Sequence, residues 1–179
     1  MKPGAAGPPW AAAHHSEMSS SWPEAVERVA AALREGRVEA RIEEFGEGTP
    51  TAADAANAVG APIDQIVKSL VFACDGRAIV VMVPGDRRAD LKKVAVAAGC
   101  ERVKAVGADV VEQITGFPAG GVAPFPLPGI ETVLIDRRLL AHEVVWIGAG
   151  SSRHMAALAP ADLARLARAR AVDAIEDGP

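Results

Sequence analysis

The chain has 179 residues, half of them apolar and 23% charged, with a formal charge of −4. That composition supports a packed core and excludes global disorder, and the acidic balance excludes a histone-like, wholly basic nucleic-acid binder. Two cysteines, Cys74 and Cys100, are too few for a disulfide scaffold or a cysteine-based zinc site, and no apolar run approaches the roughly twenty residues that span a bilayer. A reduced, cytoplasmic protein is the expectation. The chain has no tyrosine and four histidines, His14, His15, His142 and His154, with no G-x-S-x-G, H-x-x-x-H or C-x-x-C. Chemistry without a metal and without a strong side-chain nucleophile is what this inventory leaves.

Residues 1–20, rich in Gly, Pro, Ala and Ser and without periodicity, read as a disordered extension; residues 21–176 read as one folded domain. Ser21-Trp22-Pro23-Glu24 is a helix start, and Val26, Val29, Ala30 and Leu33 share one face before Gly36. Val38 to Phe45 is a predicted strand. Thr51-Ala52-Ala53-Asp54 resembles a capping box, opening a helix that stops at Gly60. A short helix from Ala61-Pro62 leads into a strand over residues 67–74, the Asp75-Gly76 hairpin turn, and a strand over residues 78–83 apolar enough to be buried on both faces. Then follow a helix over residues 89–98, a strand over 102–106 and a helix over 108–115. After the Gly/Pro-rich segment 116–129 come strands over 132–135, 144–147 and 153–158, and a helix from Pro160 to about Ala169. Hairpin-length links demand antiparallel pairing, so the fold class is α+β, a mixed and largely antiparallel sheet flanked by helices.

Five features could carry chemistry. In the Gly/Pro-rich segment, Gly120-Gly121 lets backbone approach a ligand and present N–H groups, and Pro124 fixes the loop's shape; an ordinary surface loop is the alternative. Lys68, inside an apolar strand, either points off a solvated face or reaches into a pocket. A strand running into Gly148-Ala149-Gly150-Ser151-Ser152 brings backbone near a ligand or simply turns, and Asp136 ends its strand where it could order a loop or meet a ligand. Residues 77–104 carry seven basic against three acidic side chains, a net of +4, which suits a phosphate backbone or a solvated helix face.

These motifs, in this order, resemble the YbaK/ProX family of aminoacyl-tRNA deacylases, relatives of the editing domain of bacterial prolyl-tRNA synthetases. The resemblance covers about residues 22–175. It rests on Thr51-Ala52-Ala53-Asp54-Ala55-Ala56 leading to Gly60, Gln65-Ile66-Val67-Lys68-Ser69-Leu70-Val71, Asp90-Leu91-Lys92-Lys93-Val94, and Ile114-Thr115-Gly116 followed by Gly120-Gly121-Val122-Ala123-Pro124. The last holds the family's G-x-x-x-P loop. The resemblance implies hydrolysis, in trans, of the ester joining a wrong amino acid to tRNA. Lys68 matches the functional lysine, and Gly120 and Pro124 match the loop that positions the aminoacyl carbonyl; Gly121 completes the expected catalytic set. Thr51, Val122, Ala123, Asp136, Gly148, Gly150 and Ser151 are the expected substrate contacts. Arg87, Arg88, Lys92 and Lys93 are the expected tRNA contacts. The implied partners are aminoacylated tRNA, proline tRNA first, and prolyl-tRNA synthetase, with neither DNA nor membrane and with no cofactor.

Departures narrow the implied substrate. Cysteine-clearing members carry Ser-Gly-Gly where this chain has Gly148-Ala149-Gly150, an acid where Met155 stands, and a tyrosine that is absent here. The Thr-Ala-Ala-Asp helix and the Thr-Gly-Phe-x-x-Gly-Gly segment look like the branches that remove small residues such as alanine, serine or threonine, with overlap reaching cysteine. A non-catalytic module that binds tRNA or a synthetase, and a hydrolase of another small ester, are the competing readings.

Overall fold

The computed structural model describes residues 21–178; the extension expected over residues 1–20 lies outside them. Helix α1 (Glu24–Glu35) buries Val26, Val29, Ala30 and Leu33, the face read from the sequence. Strand β1 (Ala40–Glu44) leads to α2 (Ala52–Val59), which Thr51 caps by accepting the Asp54 N–H and which Gly60 closes in the left-handed region. A single 3-10 turn, Ile63–Gln65, precedes β2 (Val67–Cys74) and β3 (Arg77–Pro84), joined through Asp75-Gly76. Helix α3 (Leu91–Ala98) is capped by Asp90, whose carboxylate accepts from Lys92 and Lys93 N–H. Strand β4 (Val103–Ala105), α4 (Ala108–Thr115), β5 (Thr132–Asp136), β6 (Val145–Gly148), β7 (His154–Leu158), α5 (Pro160–Leu166) and β8 (Arg170–Val172) complete the order, with a 3-10 segment over Arg137–Ala141.

The fold is α+β, with its strands divided between two sheets rather than gathered in one. The first is antiparallel, in the order β1-β7-β6; the second runs β4-β2-β3-β5-β8 and is mixed, because β3–β5 and β5–β8 pair in parallel. Pro84, opposite Val67 at the end of the β2–β3 ladder, has no N–H to give and stands where none is needed. The central strand β3 is covered on both faces, with Ile79 to Val83 no more than 1% exposed.

Alternation along β2 and β3 sorts side chains between two cores. Val67, Val71, Val80 and Met82 join Ile147, Ala156 and Leu158 of the first sheet and Val29, Leu33 and Leu163 of the helices. On the opposite face, Phe72, Cys74, Val81 and Val83 pack with Val94 of α3 and with Val172, Ala174 and Ile175 of the C-terminal segment. A third cluster sets Ala55 and Ala56 of α2 against Ile66, Trp146 and Met155. Cys74 and Cys100 form a disulfide, which corrects their reading as reduced thiols. It closes a loop of 26 residues, a constraint worth about 3 kcal/mol through the unfolded chain. Among the described residues, no helix is long and apolar enough to cross a membrane.

Candidate active site

Among the described residues, the two sheets pair at one parallel bridge, Ile66 to Trp146. Strand β4 pairs with β2 only at Phe72, Ala73 and Cys74. The first half of β2 therefore keeps an open edge on the side away from β3. Main-chain groups alternate in direction along a strand. Asp75 N–H donates toward β4, to the Arg102 carbonyl, so the N–H and C=O of Ser69, six residues earlier, turn toward the open edge.

A cleft of about 320 Å³ lies along that edge. Strand β2 and its lead-in supply Ile66 to Leu70; Thr49 to Ala52 and Ala55 supply the α2 side; Gly148 and Met155 come from the first sheet. Gly120 and Val122 of the 116–129 loop close it. Lys68 and the glycine loop thus both line one cavity.

Local packing explains how the loop is held. Thr115 Oγ1 accepts the Phe117 N–H at 3.0 Å, and the Phe117 ring is fully buried in the main core. Gly121 donates its N–H to the Pro118 carbonyl at 2.9 Å and accepts from Gly150 N–H at 3.0 Å. A β-carbon on Gly121 would lie 2.5 Å from the Ser151 carbonyl carbon, and one on Gly148 would lie 2.8 Å from the Val122 oxygen. Both glycines therefore serve the close seating of the loop on the 148–151 turn, whereas the sequence reading gave Gly121 to ligand approach. Gly120 differs: its φ is +85° and the space beside it is open, so it is glycine for its backbone conformation.

Lys68 stands opposite Val83, on the α3 face of β2. Its Nζ donates to the Arg87 carbonyl, and burial pushes its pKa below the ordinary 10.5, with nearby Asp86 opposing and Arg88 adding to the shift. Ser69, the next residue, faces the opposite way with Val67 and Val71, toward the glycine loop. The cleft thus wraps the edge of β2, with a cation on one side and the backbone loop on the other.

Other expected contacts fall elsewhere. Thr51 reaches the cleft, but its hydroxyl is hydrogen-bonded to Asp54 at 2.6 Å. Ala123 is wholly buried and packs in the main core, and Pro124 is buried beside it; neither lines the cleft. Gly150, at φ +102°, lies against the backbone of Ala25, and Ser151 Oγ pairs with His154 Nδ1 at 2.6 Å. Asp136 is fully buried and accepts the N–H groups of Arg138 at 3.0 Å and Ala174 at 2.8 Å. It ties the C-terminal segment to β5 and is absent from the cleft wall, which corrects its reading as a substrate contact.

The basic segment also separates. Lys93 Nζ binds Asp173 at 3.1 Å and Asp177 at 2.8 Å, and these carboxylates hold its pKa above the ordinary 10.5. Arg87 donates to the Gly178 carbonyl at 3.1 Å. Arg88 and Lys92 are exposed. Sequence reasoning missed Thr49, Ser69 and Met155 as cleft residues; for Ser69 the signal was its place beside Lys68, one step out of phase on the same strand.

Residues 46–166 match the family model described as the aminoacyl-tRNA editing domain. A proline–tRNA ligase of Nitratidesulfovibrio vulgaris is 31% identical over 100 residues, 56% of this chain and 17% of the ligase, so the chain spans about a sixth of that relative. The uncharacterized protein YwhH of Bacillus subtilis is 32% identical over 123 residues, 68% of this chain and 78% of that one. A crystal structure reported as a proposed trans-editing enzyme for prolyl tRNA synthetase superposes with a TM-score of 0.81 at 33% identity, covering 88% of this chain and all of that one. The chain belongs to the aminoacyl-tRNA editing domain family.

Proposed function

We propose that this protein hydrolyses, in trans, the ester that joins a small amino acid to a mischarged tRNA, with proline tRNA as the first carrier. The observation that carries the reading is the cleft itself, with Lys68 on one side of an open strand edge and the Gly120–Val122 backbone on the other. An aminoacyl ester is activated by its own α-ammonium and leaves as a ribose hydroxyl, so a positioned water and a stabilised oxyanion suffice. Among the described residues, no histidine, cysteine or carboxylate lines the cleft, which fits attack by water rather than by a side chain.

The amino acid lies on the Ser69 side, and the terminal nucleotide crosses the edge toward Lys68 and Arg88. Gly121 N–H is engaged with Pro118, so the oxyanion falls to the N–H groups of Gly120 and Val122. Loss of one such donor raises a barrier by about 3 kcal/mol. Lys68 holds the terminal phosphate. Water adds to the carbonyl carbon, the ester C–O bond breaks, and the ribose oxygen leaves with a proton; a neighbouring ribose hydroxyl relays the water's proton.

The test is a panel of proline tRNAs charged with alanine, serine, threonine, cysteine or proline, followed for loss of the amino acid. Turnover of one or more small mischarged residues with sparing of prolyl-tRNA is expected. Salt-sensitive tRNA binding without hydrolysis would overturn the reading in favour of a binding module.

A further inference from the structure

We propose that Ser69 selects amino acids that carry a side-chain hydroxyl, so that seryl and threonyl esters are the favoured substrates and alanyl esters are not. The proposal rests on the deacylase reading above and deepens it. Ser69 Oγ is buried and has no hydrogen-bond partner among the described residues. A hydroxyl is one donor and two acceptor sites, and leaving it unpaired in a buried place is unfavourable. Ser69 is one of the residues that line the cleft, on the face of β2 shared with Val67 and Val71.

The surroundings narrow what can pair with it. Ala52, Ala55, Ile66, Val122 and Met155 make the rest of that wall apolar. The other two hydroxyls of the lining are already engaged: Thr51 Oγ1 with Asp54 at 2.6 Å and Thr49 Oγ1 with the Ser152 carbonyl at 3.2 Å. Lys68 points off the opposite face of the strand to the Arg87 carbonyl. Among the described residues, Ser69 is therefore the side-chain hydroxyl of the cleft lining that has no partner, with small and apolar side chains around it. An incoming methyl group leaves it unpaired. An incoming hydroxyl pairs with it, and a thiol pairs only weakly. The asymmetry matters because an apolar pocket alone discriminates poorly between side chains that differ by one small group, whereas a site hydrogen-bonding a substrate hydroxyl rejects the analogue that lacks it.

The experiment compares kcat/KM for seryl-, threonyl- and alanyl-tRNA with the full-length protein and its Ser69→Ala variant, with thermal unfolding recorded for each. The intact protein is expected to favour the seryl ester over the alanyl ester by about tenfold or more, one hydrogen bond's worth of discrimination. In Ser69→Ala the seryl rate falls by about that factor, the alanyl rate holds or rises, and the ratio approaches one. Ser69→Cys, which keeps the side-chain size and a weak donor, falls between them and serves if the alanine variant unfolds. An intact protein that shows no preference for the hydroxyl, or a Ser69→Ala variant that slows all esters equally, overturns the proposal while leaving the deacylase reading standing. Hydrolysis of no aminoacyl ester at all overturns that reading, and this proposal with it.

Discussion

Gly120 and Gly121 are neighbours with different reasons to be glycine. An added β-carbon at Gly121 meets the Ser151 backbone at 2.5 Å, and backbone cannot yield as a side-chain tip can. Gly121→Ala should therefore lift the loop from the 148–151 turn and lower kcat by about 100-fold, the scale of a 1 Å misplacement. Gly120→Ala meets open space at φ +85° and should cost about 1–2 kcal/mol of stability with the loop still seated. Thermal unfolding beside single-turnover rates separates the two; equal, small effects on rate would contradict the packing role of Gly121. Lys68 gives a second prediction. Burial lowers its pKa from 10.5, so the charged form, which the proposed function sets against a phosphate, is lost earlier on the alkaline side than for an ordinary lysine. After subtraction of uncatalysed hydrolysis, the rate should fall as pH rises through that lowered pKa. In Lys68→Arg, which stays charged, the fall should vanish. An alkaline limb unchanged by the arginine would show that another group titrates.

At the scale of elements, local signals were legible and long-range partners were not. The helix bounds at Ala52–Val59 and Ala108–Thr115 and the strand Val67–Cys74 emerge where the capping residues, glycines and apolar runs put them. Strand β8, by contrast, is three residues whose identity as a strand depends on a parallel partner in β5, and nothing local in Arg170-Ala171-Val172 announces it. The division into two sheets and the Cys74–Cys100 link likewise depend on contacts between segments far apart in sequence. Asp136 shows the same limit, since a carboxylate at a strand end reads alike whether it faces a ligand or caps a buried backbone. Its two N–H partners lead to a third prediction. Asp136→Ala should destabilise by about 1–3 kcal/mol by orphaning the buried Ala174 N–H and the part-buried Arg138 N–H, while deacylation per folded molecule stays near that of the intact protein. A selective loss of activity at unchanged stability would restore Asp136 to the substrate site.

Over the whole molecule, a formal charge of −4 coexists with a basic segment beside the cleft, and the structure shows how little of that segment is free. Lys93 is bound to Asp173 and Asp177; its replacement by alanine should loosen the C-terminal segment and lower Tm. Arg88 and Lys92 are exposed, and each contact with a phosphate releases a counterion. Removing either should reduce the slope of log affinity for tRNA against log salt by about one, with Lys93→Ala leaving the slope nearly unchanged. Equal slopes for all variants would place the RNA on another face. The cleft itself was legible in outline, because Lys68 and the glycine loop are both marked by residue type. Ser69 and Met155 were not, because a serine and a methionine gain meaning only where two sheets line one cleft.

The most direct measurement of the account is the single-turnover hydrolysis of seryl-tRNA charged on the proline carrier, by the intact protein and by Lys68→Ala, with prolyl-tRNA as control. The account predicts loss of serine well above the uncatalysed rate, sparing of the prolyl ester, and a fall of at least tenfold in the variant at unchanged Tm. Full activity of Lys68→Ala, or an intact protein no faster than buffer on every mischarged tRNA offered, would contradict it.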